Sequence, residues 1–209
     1  MKKYIIKNID GINTDKIVPA EVWDKTEAIP IDCFPWDVSA YKPSVSAKML
    51  YSEKCFRIRF NVEEEHIRAV NIVPNGPVCQ DSCVEWFVIP CPEVSSEYVN
   101  FELNPIGTMH IAIGKDRHNR RFLDKELFDS VIIWRYIDSP VWRLEYVVPF
   151  AFFDALYGKV DFRQGHEMKA NFYKCGDKLR KPHWACWNNV GTDSPDFHAP
   201  KWFGSLVLG

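Results

Sequence analysis

The strongest pattern in the chain is an alternation of apolar and polar side chains within residues 80–107. Successive side chains of a strand point to opposite faces, so this segment predicts two neighbouring strands that each have one apolar face. The opposite face of both strands is rich in carboxylates and amides. We therefore predict a sheet with one dry face and one hydrogen-bonding face. The residues predicted to form the dry face are Val84, Trp86, Val88, Phe101 and Leu103.

The same alternation recurs in short segments separated by turn residues. Further predicted strands cover residues 44–64 as a hairpin, 108–114, 131–135, 141–149, 167–175 and 203–208. Helical patterns are confined to two short segments, 123–127 and 150–156. Roughly nine to eleven short strands, with no repeat and no linker, indicate an all-β sandwich with at most one or two short helices. We predict a single domain over residues 1–209.

Composition and charge limit the classes of partner that we expect. The chain has 209 residues, of which 46% are hydrophobic and 26% charged, a balance typical of a soluble globular protein. The formal net charge of -2 provides no basic surface for a phosphate backbone, so nucleic acid is not an expected partner. No apolar run is long enough to span a bilayer, so a membrane is not expected either. Nothing in the sequence specifies an oligomeric state.

The seven cysteines show no Cys-x-x-Cys spacing, which argues against a zinc or disulfide framework and predicts reduced thiols. No cofactor is expected. The acidic run at residues 63–65 predicts a solvated loop, with structural calcium as the alternative. The N-terminus has a charged start without a long apolar run, which fits a cytoplasmic protein or one whose leader has been removed.

Five motifs occur in a fixed order along the chain. They are Phe-Pro-Trp at 34–36, Asp-Ser-Cys-Val-Glu-Trp-Phe at 81–87, Tyr-Val-Asn-Phe-Glu-Leu-Asn at 98–104, Asn-Phe-Tyr-Lys at 171–174 and Phe-His-x-Pro-x-x-Phe-Gly-x-Leu at 197–206. Over nearly the whole chain this order resembles the carbohydrate-binding module family 9-like domains. The resemblance implies an antiparallel β-sandwich of jelly-roll type that binds sugars without catalysis. Sugar-binding members hold a sugar ring between two Trp side chains.

The resemblance also implies site residues. Glu85 stands at the acidic position of the family's Asp-x-x-Val-Glu strand, and Asn100 at the Asn of its Val-Asn strand. Trp184 and Trp187 lie in the segment where a clasping Trp is expected. The chain departs from the family at Cys79, where sugar-binding members have a Trp.

Sugar hydroxyls need planar hydrogen-bonding partners, and the C–H faces of sugar rings stack on aromatic rings. The expected hydrogen-bonding residues are Glu85, Asn100, Glu102, Asn104 and Asn171. They alternate with apolar residues on separate strands, so we predict that they converge on a concave sheet face. Trp184 or Trp187 would supply the stacking surface. The predicted function is non-catalytic carbohydrate binding.

Two alternatives use other chemistry. A glycoside-processing enzyme needs two carboxyls across the scissile bond, and Glu85 with Glu102 could supply them. A haem-binding sandwich of the related redox domains would need axial ligands, for which the candidates are His110, His183 and His198.

Overall fold

The computed structural model describes residues 1–11, 16–36 and 39–209. The strands in this part of the chain are β1 (Lys3–Asn8), β2 (Ile29–Pro30), β3 (Ser44–Tyr51), β4 (Cys55–Glu63), β5 (Cys83–Ile89), β6 (Tyr98–Leu103), β7 (Met109–Gly114), β8 (Arg120–Phe122), β9 (Ile132–Asp138), β10 (Val141–Pro149), β11 (Glu167–Cys175), β12 (Trp184–Cys186) and β13 (Gly204–Leu208). The helices are α1 (Ala20–Asp24), α2 (Lys125–Asp129) and α3 (Phe150–Tyr157). The prediction of a mostly β protein is confirmed.

The strands form one curled sheet in the order β8-β7-β6-β5-β11-β13-β1-β3-β4-β10-β9, with β12 added to β11 and β2 to β3. Strand β1 joins the two halves because it pairs with β13 on one side and β3 on the other. Both of these pairings are parallel, so the sheet is mixed, and the predicted antiparallel arrangement holds for most of the sheet but not for all of it. Long stretches of chain separate β1 from both partners, and parallel pairing needs such long connections.

The described residues contain three α-helices, one more than predicted. The sequence patterns at 123–127 and 150–156 correspond to α2 and α3. Helix α1 was not predicted because five residues after Pro19 are too few to show helical periodicity. None of the helices in the described part has the length and apolar character needed to cross a bilayer.

The two halves of the sheet pack face to face around an aromatic core. Phe56 of β4 lies 6.1 Å from Trp86 of β5, measured between ring centroids, and Phe60 lies 6.0 Å from Phe172 of β11. The predicted dry face is confirmed: Val84, Trp86, Val88, Phe101 and Leu103 are all buried in this core.

The opposite face of β5, β6 and β11 is not an open polar surface, which corrects the sequence-based expectation. It carries a second apolar cluster that includes Phe87, Tyr98 and Tyr173. Residues from the connecting segments cover this cluster, among them Val190 and Phe203. Aromatic side chains at these outward positions need cover from water, so loops close over the face and leave a cavity between them.

Candidate functional site

A cavity of about 430 Å³ opens on this outer face of the sheet. Strands β5, β6, β7, β8, β11 and β12 contribute to it, together with residues 76–79, the turn between β7 and β8 and the segment before β13. Its titratable and aromatic lining residues are Cys79, Glu85, Glu102, His110, Arg117, Arg120, Cys175, Asp177, Trp184, Phe197 and His198. The cavity therefore combines many titratable groups with an aromatic wall.

Three titratable residues on adjacent strands form one row. Glu85 on β5 is directly opposite Glu102 on β6, and Glu102 is directly opposite His110 on β7. Residues in register on neighbouring strands project from the same face, with Cβ atoms about 4.5–5.5 Å apart. Strand pairing alone therefore brings the two carboxyls side by side.

Each carboxyl has one oxygen engaged by the protein. The Cys175 thiol donates to Glu85 Oε1 at 3.0 Å, and Asn100 Nδ2 donates to Glu102 Oε1 at 3.0 Å. Arg120 Nη1 lies 3.8 Å from the same oxygen of Glu102. Within the described residues, Oε2 of both carboxyls has no hydrogen-bond partner, so each glutamate keeps an acceptor for a ligand.

Burial changes the protonation of this pair. Removal from water raises the pKa of Glu85 well above its usual value, and the nearby Glu102 raises it further. Burial also raises the pKa of Glu102, although His110 and Arg120 oppose the shift. Two neighbouring carboxyls in such a site favour retention of a proton. The pair can then both donate and accept hydrogen bonds.

Arg120 is held over the carboxyls by its own hydrogen bonds. Its Nη1 donates to Asn100 Oδ1 at 3.1 Å, and its Nε donates to the backbone carbonyl of Arg117 at 3.2 Å. Arg117 in turn donates from Nη2 to Asp196 Oδ1 at 2.9 Å. The guanidinium groups are therefore positioned before any ligand binds.

His198 completes this side of the cavity. Its Nδ1 and the Tyr98 hydroxyl share a 2.8 Å hydrogen bond. Burial, and then the charges of Arg120 and Arg117, lower the pKa of His198 to about 2. The imidazole is therefore neutral at physiological pH and can serve as one donor or one acceptor.

Trp184 provides the aromatic wall. It is half-buried on β12, opposite Cys175 of β11. Its indole Nε1 donates to Asp177 Oδ1 at 2.8 Å, which fixes the ring orientation. An indole ring held in this way offers a flat apolar surface beside the polar floor.

The structure brings together some of the residues expected from the sequence. Glu85, Glu102 and Trp184 line the cavity. Asn100, two residues before Glu102 on β6, is fully buried and links Glu102 to Arg120. This residue can orient the site without touching a ligand.

Asn104, Asn171 and Trp187 lie outside the cavity. Asn104 donates to Asp81 and accepts from the Thr108 amide, which fixes the turn after β6. Asn171 exchanges hydrogen bonds with the backbone of residue 188. Trp187 is buried against Phe172 in the core, at 5.9 Å between ring centroids. Buried backbone groups need such partners, so the side-chain amides of Asn104 and Asn171 are used within the fold.

Most of the titratable residues that line the cavity were not predicted from the sequence as sugar-binding residues. His110, Arg117, Arg120, Asp177 and His198 were not assigned to a sugar site. The basic run at 117–121 received no function from the sequence, whereas in the structure Asp116 accepts hydrogen bonds from the amides of His118 and Asn119 and closes a tight turn. The chain then returns beside β7 as β8, which places Arg120 over the carboxyls. An Asp-x-x-Asn turn between two strand patterns was the available signal.

The three candidate haem ligands do not lie together, and two carboxylates of the candidate calcium site are paired with lysines. His110 and His198 line the cavity, whereas His183 lies elsewhere, 3.0 Å from the Lys174 amine. In the acidic run, Glu64 is paired with Lys174 at 3.1 Å and Glu65 with Lys181 at 2.7 Å. Structural calcium stays a prediction.

The chain is similar to a protein-family model and to several solved structures. The sequence model described as carbohydrate-binding family 9 matches residues 17–208. A crystal structure of a candidate carbohydrate-binding protein from Bacteroides uniformis ATCC 8492 is 32% identical, with a TM-score of 0.87 over 100% of this chain and 99% of that chain.

Two structures of carbohydrate-binding module family 9 from Caldicellulosiruptor kristjanssonii share the fold at low identity. One, in complex with glucose, is 10% identical with a TM-score of 0.69, over 100% of this chain and 96% of that chain. The other, in complex with cellotriose, is 11% identical with a TM-score of 0.70, over 99% and 93%. The comparison with curated proteins finds no match.

Proposed function

Because the chain belongs to carbohydrate-binding family 9, we propose that it binds a carbohydrate in the cavity around Glu85 and Glu102 without catalysing a reaction on it. Membership of the family supports sugar binding in general. The choice of this cavity and of its individual residues is our own inference from the geometry described above.

The observation that carries the proposal is the pair of buried carboxyls with open acceptor oxygens beside a fixed arginine. Neighbouring hydroxyls of a sugar can each donate to a carboxyl oxygen and accept from a guanidinium N–H. Buried polar groups with few partners are costly, and ligand hydroxyls would supply the missing hydrogen bonds. An apolar ligand would leave both carboxyls without them.

Trp184 supports the same ligand class. A pyranose ring has polar edges and C–H faces, so it needs an aromatic surface next to hydrogen-bonding groups. Trp184, hydrogen-bonded to Asp177, lines the same cavity as Glu85 and Glu102. We propose that the sugar stacks on this indole while its hydroxyls reach Glu85, Glu102 and Arg120. The cavity volume lies in the roughly 300–1,000 Å³ range of small-molecule sites.

The proposal is tested by titrating the protein with glucose and cellotriose in a calorimeter, in the presence of a metal chelator. These are the ligands of the two Caldicellulosiruptor kristjanssonii structures. Glu102→Gln should weaken binding about 10- to 100-fold, since a hydrogen bond to a charged group contributes roughly 1.5–3 kcal/mol. Glu167→Gln is the control, because Glu167 is an exposed residue at the far end of β11.

Other results would contradict the proposal. If neither these two sugars nor a wider panel of mono- and oligosaccharides bound, the cavity would not be a sugar site. Turnover of a chromogenic glycoside that is lost in Glu85→Gln would indicate the enzyme. Absorption in the Soret region of the purified protein would indicate haem binding.

A further inference from the structure

Two thiols and a carboxyl meet at the inner end of the cavity. The Sγ atoms of Cys83 and Cys175 and a carboxylate oxygen of Glu85 all lie within 4.8 Å of one another. The sheet register causes this arrangement. Cys83 on β5 is directly opposite Cys175 on β11, and Glu85 follows two residues later on the same face.

The cluster is buried and has no cation of its own. Cys83 is fully buried and Glu85 is 2% exposed. Within the described residues, no lysine, arginine or histidine lies within ion-pair distance of Glu85, whose recorded hydrogen-bond donor is the Cys175 thiol. Burial raises the pKa of Cys83 and of Glu85, whereas the hydrogen bond with Cys83 and then burial raise the pKa of Cys175. Arg120 opposes the rise in the pKa of Glu85 and Lys174 opposes that of Cys83, but burial outweighs both charges.

We propose that Cys83, Cys175 and Glu85 bind one zinc ion whose fourth coordination position opens into the cavity. Zinc takes sulfur ligands at about 2.3 Å and carboxylate oxygens at about 2.0–2.2 Å in tetrahedral geometry. Ligand atoms of such a site are separated by less than about 4 Å. The 4.8 Å spread of the cluster requires only small side-chain rotations to reach this geometry.

The donor set and the location favour zinc over a hard cation. Thiolates select zinc and other thiophilic ions, whereas calcium and magnesium take oxygen ligands. Glu85 and Cys175 line the cavity, which gives an ion access from solvent. Three protein ligands with one open position are typical of zinc sites that also bind a small molecule or water.

Zinc binding must release protons. Each thiol loses its proton to become a thiolate, and the Glu85 carboxyl loses its proton if it holds one, so up to three protons pass to solvent for each ion bound. The oxidation state of zinc and of sulfur does not change. The apparent affinity should therefore rise with pH.

The zinc proposal does not require that the protein binds a sugar, although Glu85 belongs to both proposed sites. Glu102, Arg120 and Trp184 belong only to the proposed sugar site and are not zinc ligands. Sugar binding in the presence of a chelator, with no metal uptake, would overturn the zinc site alone. Metal uptake without sugar binding would overturn the sugar proposal alone.

The test is a titration of the reduced, metal-free protein with Co²⁺ and then Zn²⁺. We expect one equivalent of Co²⁺ to produce thiolate-to-cobalt charge-transfer absorption, and one equivalent of Zn²⁺ to abolish it. Cys83→Ser should lose most of this absorption. Cys91→Ser is the matched control, because Cys91 is also a buried thiol but lies outside the cluster.

A second measurement covers the case in which Cys83→Ser does not fold. In the wild-type protein, zinc should slow alkylation of Cys83 and Cys175, read by mass spectrometry, and leave Cys33 unaffected. The proposal would be overturned by the absence of cobalt absorption in the wild type, by its retention in folded Cys83→Ser, or by alkylation rates that do not depend on zinc. A Cys83–Cys175 disulfide in the protein as purified would also overturn it.

Discussion

Two regions of the sheet each contain a buried carboxylate, and the two carboxylates differ in the hydrogen bonds that they accept. Glu145 on β10 is 3% exposed, nearly the same as Glu85 on β5. Both glutamates lie in the middle of a strand with a partner strand on either side. The burial of the two side chains is therefore comparable, and the difference lies in what surrounds them.

Glu145 has a full set of donors. Arg59 donates to Oε2 from Nε and Nη2, and the Trp23 indole donates to the same oxygen at 3.1 Å. Arg57 and the Val18 amide donate to Oε1 at 3.3 and 3.2 Å. This network attaches helix α1 to the outside of the sheet. The carboxylate of Glu145 has no hydrogen-bonding capacity left for a ligand.

Glu85 and Glu102 each keep an unpartnered oxygen in a cavity, with Arg120 nearby. The contrast shows that burial alone does not mark a functional carboxylate in this fold. The number of donors already bound separates the two regions: a carboxylate with a complete set stabilises the fold, and one with an incomplete set is available to a ligand.

The largest expected effect tests the Glu145 region. Glu145→Gln removes the carboxylate that accepts hydrogen bonds from the buried Arg57 and Arg59, and should lower the free energy of unfolding by about 3–5 kcal/mol. Urea denaturation measures it. Because we predict one domain over residues 1–209, a single cooperative transition is expected. A loss below about 1 kcal/mol would show that the network contributes little.

The next effect tests the donor side of the cavity. Arg120→Gln removes a guanidinium placed beside the carboxyls and should weaken sugar binding roughly 10- to 100-fold. Arg121→Gln is the control, since Arg121 is the adjacent residue of β8 and its side chain is 59% exposed. Calorimetric titration with the same sugar compares the two variants. Equal affinities for both would place the ligand elsewhere.

The pH dependence of the free energy of unfolding tests how burial affects the ionisation of Glu85. Its pKa is raised in the folded state, so the stability it contributes is complete below about pH 4.5, the usual Glu value, and is lost as pH rises through the folded pKa. The glutamine of Glu85→Gln does not ionise. The free energy of unfolding of this variant should therefore rise relative to that of the wild type over that pH range, by up to about 1.4 kcal/mol per pH unit. Unfolding free energies of metal-free protein from pH 4 to 8 measure the difference, and a flat difference would contradict it.

The smallest effect compares two tryptophans. Trp184→Phe should weaken sugar binding only several-fold, since aromatic contacts of this kind contribute about 0.5–1.5 kcal/mol, and should remove the sugar-induced change in Trp fluorescence. Trp187→Phe lies in the core and should lower stability while the fluorescence change remains. If the fluorescence change were instead lost in Trp187→Phe and kept in Trp184→Phe, Trp187 would be the stacking residue.

The alternation of apolar residues was enough to predict several features. It identified the dry face of β5 and β6, and it located most strands and two of the helices. This succeeds because a strand with one face in a core must repeat with period two, whatever its neighbours are. The same pattern placed Glu85 and Glu102 on one face, and the family resemblance pointed to Trp184.

The sequence by itself determined which side chains could share a face. The tertiary structure decided which of them share a site. Asn104 and Asn171 have the same alternation as Glu102, yet turns and neighbouring backbone use their amides. Arg120 belongs to the basic run at 117–121, and the hairpin formed by β7 and β8 places it over the carboxyls. Which donors reach a buried carboxylate depends on register and loop closure between distant segments, and periodicity along one strand carries no information about either.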